Sequence, residues 1–332
     1  MKAIILDGKR HAYPVERPIP EPKPGCALVR VKAAGICGTD LELLYHADKQ
    51  SDIIPGHEVS GVVEQVNGCT EFKPGDRVFI NCHITCHECE HCKAGDFIFC
   101  KQMTCIGFDE DGGDAEYIAV SEKQLRHLPD DLSFEQGVLL TDALGTPYHA
   151  ARLANIVPGE LVGISGAGPL GMMCILSVVH MGGVVVAIDV VDERLEAARS
   201  FGATYTINGR GDVQAEVNKL TDGRGLGKII DCSGNARAIK TDLEVLRNRG
   251  MLVQVGVCTE ITLNFYDMVV SKEITIKGSR NFHDTELPGM IDLVRTIEHL
   301  ADVVTHRFSL DEADEAFRLG SERKGLKLVF TP

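Results

Sequence analysis

A cysteine and a histidine about twenty residues apart are the side chains of this chain best suited to chemistry. Cys37 lies in the run Gly-Ile-Cys-Gly-Thr-Asp, and His57 lies in the run Gly-His-Glu. A thiolate and an imidazole are good zinc ligands. The hydroxyl of Thr39, two residues after the cysteine, is placed to take a proton from a molecule bound to that metal. These residues predict a metal centre with acid–base chemistry.

Further cysteines have the spacing of a second metal site. Three thiols recur at every third position and a fourth follows them: Cys86, Cys89, Cys92 and Cys100. Four thiolates close a tetrahedral zinc site and leave no open position, so this metal is predicted to be structural. The alternatives are free thiols and a nucleic-acid zinc ribbon, which the nearby acidic residues disfavour. The histidines among these cysteines could replace one thiol, although the regular spacing favours the cysteines: His83, His87 and His91.

The composition describes a soluble globular protein of two domains. The chain has 332 residues, of which 44% are hydrophobic and 25% are charged, enough for two buried cores. Twelve cysteines without a secretory signal are better explained as metal ligands and buried thiols than as disulfides. The lack of a long apolar run and the early acid Asp7 predict a cytoplasmic protein without a membrane span. A net charge of −14 disfavours nucleic acid and anionic membranes as partners.

The first part of the chain has the pattern of a β-rich, barrel-like domain. Short apolar or alternating runs at residues 3–6, 27–33 and 59–66 are separated by turns that contain proline and glycine. His57 and Glu58 fall where a loop enters the third of these strands. A ligand at the start of a strand is held by a rigid element, which favours a precise site.

From about residue 159 strands and helices alternate. A buried strand at 161–165 precedes a glycine-rich turn, and a second strand at 184–188 ends in Asp189. The turn consists of Gly166, Ala167, Gly168, Pro169, Leu170 and Gly171. In this context it predicts a dinucleotide fingerprint, whose glycines admit the pyrophosphate to a helix N-terminus and whose acid binds the adenosine ribose. The carboxylate favours NAD over NADP. A glycine-rich turn of another α/β protein is the alternative.

The remaining strands complete a six-stranded parallel sheet. They are predicted near residues 204–207, 228–232, 251–256 and 274–278, with helices beginning near residue 212 and ending near residue 246. Gly256 and Val257 are predicted cofactor contacts. A helix at 286–299 and a last strand at 326–330 are assigned to the first domain. The predicted domains are 1–147 with 280–332, including a zinc lobe at 82–105, and 148–279.

Taken in order, the motifs at Cys37, His57, Cys86 to Cys100 and Gly166 to Gly171 resemble the zinc-dependent medium-chain dehydrogenase/reductase superfamily, which includes the medium-chain alcohol dehydrogenases. The resemblance spans nearly the whole chain and is nearest to the secondary-alcohol, polyol and sugar dehydrogenase branches. It implies an α/β fold with a GroES-like catalytic domain and a doubly wound Rossmann domain. It also implies NAD and two zinc ions per chain, one catalytic and one structural.

The resemblance assigns the catalytic zinc ligands. Cys37 and His57 are two of them, and Asp142 is similar to the aspartate that is the third protein ligand in bacterial secondary-alcohol members. Glu58 resembles a carboxylate that lies beside the metal or exchanges onto it. Asp40 would orient His57 through its other ring nitrogen. A helix cap or a solvated acid is the alternative for Asp142.

By the same resemblance, zinc acidifies a bound alcohol, hydride passes to NAD, and Thr39 receives the hydroxyl proton. Glu42 occupies the position of a relay histidine in liver-type members, so we expect it to relay a proton, to bind a substrate hydroxyl or to be solvated. Glu42 and the run around Arg307 are mild pointers to a polyhydroxylated substrate, with a surface arginine as the alternative for Arg307. Arg194 is similar to a second ribose contact, with an exposed helical arginine as the alternative. Asp114 replaces an aromatic residue of the family.

These residues predict an oxidoreductase that moves hydride between NAD and a secondary alcohol, with a polyol or sugar as substrate. A reductase of simple ketones or aldehydes would use the same centre. A non-catalytic protein that binds zinc and a dinucleotide is the alternative from another class. Such relatives usually lose a ligand or the relay hydroxyl, whereas Cys37, Thr39, His57 and Asp142 are all present. A homo-oligomer, a tetramer rather than a dimer, is expected by resemblance.

Overall fold

A computed structural model describes residues 1–47, 51–296 and 303–332, which form two compact units. The first unit comprises Met1–Ala143, His283–Leu287 and Val294–Pro332, and the second comprises Leu144–Phe282 and Pro288–Leu293. The domain ranges that the sequence suggests, with boundaries near residues 147 and 280, stay predictions. The end of the helix predicted at 286–299, its residues 297–299, lies outside the described residues.

The strands, in chain order, are β1 (Lys2–Leu6), β2 (Ala12–Glu16), β3 (Cys26–Ile36), β4 (Glu58–Asn67), β5 (Arg77–Ile80), β6 (His83–Ile84), β7 (Thr104–Cys105), β8 (Tyr117–Ser121), β9 (Leu125–His127), β10 (Leu161–Ser165), β11 (Val184–Asp189), β12 (Tyr205–Asn208), β13 (Leu226–Asp231), β14 (Leu246–Gln254), β15 (Thr275–Gly278), β16 (Val304–Phe308) and β17 (Lys327–Phe330).

The helices are α1 (Gly38–Asp40), α2 (Glu90–Ala94), α3 (Phe134–Val138), α4 (Leu144–Leu153), α5 (Pro169–His180), α6 (Asp192–Ser200), α7 (Val213–Thr221), α8 (Ala236–Val245), α9 (Leu287–Thr296) and α10 (Ala313–Ser321). Short helical turns occur at Leu41–Tyr45, Phe97–Phe99, Glu122–Gln124, Leu139–Ala143, Tyr266–Val270, Asp284–Glu286 and Leu310–Glu312. Among the helices of the described residues, none combines the length and hydrophobicity needed to cross a lipid bilayer.

The first unit is built on a mostly antiparallel sheet in the order β16-β17-β3-β4-β5-β9, with β8 also paired to β3. Alternating residues of β3 and β4 fill its core, together with Phe317 and Phe330. Gly61 allows the long β3–β4 pairing, because a β-carbon there would lie 2.2 Å from the carbonyl oxygen of Arg30. β4 begins at Glu58, so His57 stands at the mouth of a strand as predicted.

The second unit contains the predicted six-stranded parallel sheet, in the order β12-β11-β10-β13-β14-β15. Its central strands are nearly continuous apolar runs because helices cover both faces of such a sheet. The strand order reverses between β10 and β13, which is where ligands bind in folds of this kind. The strand predicted at 251–256 is longer than expected, since β14 begins at Leu246.

Candidate functional site

Asp40 joins the two segments that carry the first predicted metal ligands. Cys37 follows β3 directly, and its extended backbone begins the short helix α1. The fully buried carboxylate of Asp40 accepts the backbone N–H of Cys37 at 2.8 Å through Oδ2. Its Oδ1 lies 2.9 Å from Nδ1 of His57. The bond to Nδ1 leaves Nε2 as the metal-facing nitrogen of the ring.

A kink in the chain brings Asp142 to the same place. Thr141, inside the helical turn Leu139–Ala143, has a non-helical backbone at φ −87° and ψ −138°. Its hydroxyl donates to the carbonyl of Val138 at 2.5 Å. Asp142 Oδ2 then lies 3.9 Å from the Cys37 sulfur and 3.9 Å from His57 Nε2.

The donor atoms of Cys37, His57, Glu58 and Asp142 all lie within 4.8 Å of one another. Ligands at about 2.0–2.3 Å from one zinc ion can be no more than about 4.6 Å apart, so the set needs little movement to hold one ion. Burial opposes the charged imidazolium, but the Asp40 carboxylate and the Cys37 thiolate outweigh it and raise the pKa of His57 well above its usual value. The field at this site therefore favours a cation.

Glu58 forms an ion pair with Lys327, a partner that the sequence did not predict. The Lys327 ammonium, on β17, lies 2.6 and 2.9 Å from the two carboxylate oxygens and donates to the carbonyl of Ile36 at 3.3 Å. Both side chains are buried. Although burial favours the neutral amine, the charge of Glu58 and then that of Cys37 raise the pKa of Lys327. The pair is 269 residues apart in sequence, and no local pattern signals it.

Thr39 and Glu42 lie on the surface near this cluster. The Thr39 hydroxyl is 3.7 Å from the Cys37 sulfur, and the residue is exposed. Glu42 is not a member of the metal-ligating set. Its side chain is 68% exposed, and its carboxylate lies 3.9 Å from Nδ1 of His46. The structure thus brings Asp142 into the metal-ligating set and leaves Glu42 outside it.

Four cysteine sulfurs converge in the second predicted metal site, those of Cys86, Cys89, Cys92 and Cys100. The Cys86 sulfur lies 3.5 Å from that of Cys100 and 3.9 Å from that of Cys92. The backbone N–H groups of Glu88 and Cys89 lower the pKa of Cys86 to about 6, which favours the thiolate that binds zinc.

The neighbouring histidines lie outside this four-thiol set and have other partners. His83 Nδ1 lies 3.1 Å from Oδ1 of Asn81, and His87 Nε2 lies 3.2 Å from the Thr85 hydroxyl. His91 approaches Glu90 at 3.8 Å. These contacts agree with a site made of four thiols.

The three glycines of the fingerprint turn have different surroundings. Gly166 has a positive φ of 90°, and a β-carbon there would lie 2.9 Å from the backbone nitrogen of Ser233. A β-carbon at Gly171 would lie 1.8 Å from the carbonyl oxygen of Gly166. Gly168, by contrast, faces open space. It immediately precedes α5, which begins at Pro169, so a phosphate can approach the helix N-terminus there.

Asp189 lies beside this turn at the end of β11. Its carboxylate accepts the backbone N–H of Ala167 at 2.7 Å and that of Val191 at 2.9 Å. The Arg194 guanidinium lies 4.0 Å from the same carboxylate. Val257, which follows β14, is 89% exposed at the carboxyl edge of the sheet. The predicted cofactor residues therefore share one edge of the second unit.

Arg307 and Asp114 have surroundings that the sequence did not predict. Glu135 binds the Arg307 guanidinium through two bonds of 2.6 Å, so this arginine is part of a structural ion pair. Asp114 is fully buried beside Gly56, and both carboxylate oxygens lack a hydrogen-bond partner within the described chain. Burial and then the charge of Asp40 raise the pKa of Asp114 well above its usual value.

Comparisons with known proteins cover the whole chain. Residues 23–130 match the alcohol dehydrogenase GroES-like domain, and residues 169–296 match the zinc-binding dehydrogenase family. A sorbitol dehydrogenase of Halalkalibacterium halodurans is 30% identical across 100% of this chain and 99% of its own length. An L-threonine 3-dehydrogenase of Anaeromyxobacter dehalogenans is 32% identical across 99% and 98%. The crystal structure of galactitol-1-phosphate dehydrogenase from Escherichia coli superimposes with a TM-score of 0.92 at 28% identity, over 100% of both chains.

Replacing Lys327 with methionine should leave the Glu58 carboxylate buried without its counter-charge. We expect Lys327→Met to lower the free energy of unfolding by about 3–5 kcal/mol, measured by urea denaturation. The double variant Glu58→Gln/Lys327→Met should recover most of this loss. Lys324→Met, at an exposed lysine paired with Glu322, is the matched control and should change stability by less than about 0.5 kcal/mol. An equal loss of unfolding free energy in Lys327→Met and Lys324→Met would contradict a buried ion pair.

Removing one cysteine from each cluster should remove one zinc ion at a time. We expect two zinc ions per chain in the unmodified protein and one in either Cys37→Ser or Cys100→Ser, counted by elemental analysis of purified protein. Cys69→Ser, at a half-buried thiol outside both clusters, should keep two. A Cys37→Ser protein that still holds two ions would refute the first site.

Proposed function

This chain belongs to the zinc-dependent medium-chain dehydrogenase family, and we propose that it oxidises a secondary alcohol of a polyol or sugar with NAD. As a family member it is an NAD- and zinc-dependent alcohol dehydrogenase. The observation that carries the proposal is the convergence of Cys37, His57 and Asp142 on one point, with His57 oriented by Asp40.

When bound, zinc lowers the pKa of the substrate hydroxyl and NAD accepts the hydride. Cys37, His57 and Asp142 would hold the ion, since their donor atoms face a common point. Asp40 keeps the proton on Nδ1 of His57 and so directs Nε2 toward the ion. Lys327 neutralises the additional carboxylate of Glu58, which limits the negative charge of the donor set. Thr39, exposed beside Cys37, would take the hydroxyl proton and pass it to water.

The second unit would hold the cofactor through backbone groups of the fingerprint turn and through a few side chains. The open face of Gly168 and the N-terminus of α5 suit the pyrophosphate. Asp189 and Arg194 suit the adenosine ribose, and the carboxylate would repel a 2′-phosphate. Gly256 and Val257 would contact the rest of the dinucleotide.

The substrate class is supported by the sorbitol and galactitol-1-phosphate dehydrogenases that this chain resembles. L-Threonine is the second candidate, because a threonine dehydrogenase is similarly related and also acts on a secondary alcohol. The same centre would reduce the corresponding ketone. Twelve free thiols suit a reducing compartment, so we place the enzyme in the cytoplasm.

A panel of sorbitol, xylitol, L-threonine and 2-propanol, assayed by NADH formation, tests the substrate. We expect kcat/KM for a polyol to exceed that for 2-propanol by about tenfold or more. This is the value of one hydrogen bond from a substrate hydroxyl to a charged group, here the Glu42 carboxylate. Glu42→Gln should remove much of that difference and leave 2-propanol turnover unchanged. Glu71→Gln, at an exposed acid of the first unit, is the control. Equal turnover of polyols and 2-propanol would argue against substrate binding by Glu42, and preference for threonine would favour the second candidate.

We also propose that copies of the chain pair through β15. This strand lies at the edge of the parallel sheet, and all four of its residues are exposed. Several large apolar side chains are exposed on this strand or in the segment that precedes it in sequence: Phe265, Tyr266, Val270 and Ile276. Among the described strands β15 pairs on one side only, and such an edge with exposed apolar residues favours pairing with a second copy. A dimer formed in this way would be the building block of the expected tetramer.

A charge at this edge should weaken the assembly. We expect Ile276→Glu to shift the mass measured by light scattering after size exclusion toward a smaller species. Val157→Glu, at an exposed valine outside the strand, should leave the mass unchanged. A monomeric unmodified protein, or an Ile276→Glu protein of unchanged mass, would contradict the proposed interface.

A further inference from the structure

Gln254, the last residue of β14, joins three loops at the carboxyl edge of the parallel sheet. Its side-chain amide donates to Oδ1 of Asp231, at the end of β13, at 2.7 Å. The same amide donates to the carbonyl of Gly256 at 2.7 Å. Its backbone carbonyl accepts the N–H of Ser279, which follows β15, at 2.9 Å. One residue therefore connects the loops that follow β13, β14 and β15.

The two side-chain bonds fix the orientation of the Gln254 amide. Its neighbours are a carboxylate and a backbone carbonyl, which are both acceptors, so the nitrogen and not the oxygen must face them. The nitrogen carries two hydrogens, one for each acceptor. The amide oxygen Oε1 is buried and has no hydrogen-bond partner among the described residues. The contribution of this side chain to the loops therefore lies in its two donors.

Asp231 carries the bond from Gln254 into the loop after β13. Its Oδ1 also accepts the Gly234 N–H at 2.8 Å, and its Oδ2 accepts the Ser233 hydroxyl at 2.7 Å. Its backbone carbonyl accepts the N–H of Gly256 at 2.8 Å. Asp231 is fully buried, so water does not compete for these bonds. The two residues thus form one network that spans both loops.

The loops after β13 and β14 pack backbone against backbone. A β-carbon at Gly234 would lie 2.2 Å from the carbonyl oxygen of Val257. A β-carbon at Gly256 would lie 2.3 Å from the nitrogen of Gly234. Because no side chain separates the two loops at these points, a shift of one loop displaces the other.

The direction of the cofactor gives these loops a role. The fingerprint turn and α5 suit the pyrophosphate, and Asp189 suits the adenosine ribose on the β11 side. The other half of a dinucleotide bound across the switch point must then extend to the opposite side, where the loops after β13 and β14 lie.

The adenosine side has its own support. The Gly166 N–H donates to the carbonyl of Ile188 at 2.7 Å, and the Ala167 N–H donates to the Asp189 carboxylate at 2.7 Å. These bonds join the fingerprint turn to β11 and do not involve Gln254. The two halves of the dinucleotide site are therefore held by separate sets of hydrogen bonds.

We propose that Gln254 is a positioning residue of the dinucleotide site: its amide bridges Asp231 and Gly256 and thereby holds the loops after β13 and β14 in the conformation that receives the nicotinamide half of the cofactor. The inference rests on the cofactor contacts proposed above for Gly256 and Val257. Gln254 itself does not need to touch the cofactor.

Gln254→Leu tests this on the full zinc-loaded chain, because leucine has a similar shape but no donor. NADH reports on the whole dinucleotide site, whereas ADP reports on the adenosine and pyrophosphate positions alone. We expect the Kd for NADH, measured by fluorescence, to rise about tenfold through the loss of two hydrogen bonds. The Kd for ADP, measured by calorimetry, should not change.

Substitutions of Asp231 test the other end of the bridge. Asp231→Asn keeps one oxygen that can accept from both Gly234 and Gln254, so we expect the unmodified Kd for NADH. Asp231→Ala removes the acceptor and should weaken NADH binding at least as much as Gln254→Leu. Because both residues act through one network, the double variant should bind NADH no more weakly than Asp231→Ala. Additive losses in the double variant would contradict the shared role.

Gln214→Leu, at an exposed glutamine of α7, is the matched control and should keep both affinities. An unchanged Kd for NADH in Gln254→Leu would overturn the proposal. An equal loss of NADH and ADP affinity in that variant would overturn it as well, because Gln254 would then support the unit as a whole. Failure of the unmodified chain to bind NADH would instead contradict the proposed function.

Discussion

The proposed catalytic centre depends on the buried carboxylate of Asp40, which holds two separate segments of chain in one geometry. It receives the backbone N–H of Cys37 and faces the Nδ1 of His57. Because the carboxylate is fully buried, water does not compete for either bond. The same side chain thus places the thiol and selects which ring nitrogen faces the metal. The kink at Thr141 then only has to deliver Asp142 to a point already defined.

Two buried acids of the first unit, Glu58 and Asp114, lie in different electrostatic settings. An unpaired carboxylate in a protein interior is costly, so it is either paired with a cation or protonated. Glu58 takes the first course, with the Lys327 ammonium bound to both of its oxygens. Asp114 takes the second: burial and then the charge of Asp40 raise its pKa well above the usual value, and both of its carboxylate oxygens lack a hydrogen-bond partner among the described residues. The ion pair keeps a full charge beside the metal donors, whereas the raised pKa of Asp114 favours a neutral carboxyl group beside Gly56.

Both sites are built at the ends of strands, where side chains and backbone groups are free of the sheet's own hydrogen bonds. Cys37 follows β3 and His57 precedes β4, which are paired along most of their length. The fingerprint turn follows β10, and the loops held by Asp231 follow β13 and β14. The sheets provide rigid frames, and the chemistry is carried by the few residues that leave them.

The spacing of residues close in sequence was enough to predict much of the fold and of the candidate sites. The repeated thiols of Cys86 to Cys100 and the glycines of the fingerprint indicated a metal site and a cofactor turn, because in each case the groups that act together are close in sequence. The alternation of strands and helices likewise predicted the six-stranded parallel sheet. The motif around Cys37 and His57 also implied Asp40 as the orienting group, and the contact is present.

Contacts between distant residues could be seen only in the tertiary structure. Spacing did not connect Lys327 to Glu58 across 269 residues. The family resemblance offers Arg307 as a pointer to the substrate or as a surface arginine, and in the structure its guanidinium binds the Glu135 carboxylate. The physical reason is common to these cases. A periodic pattern records which face of an element is buried, but the partner of a buried charge depends on which elements meet there.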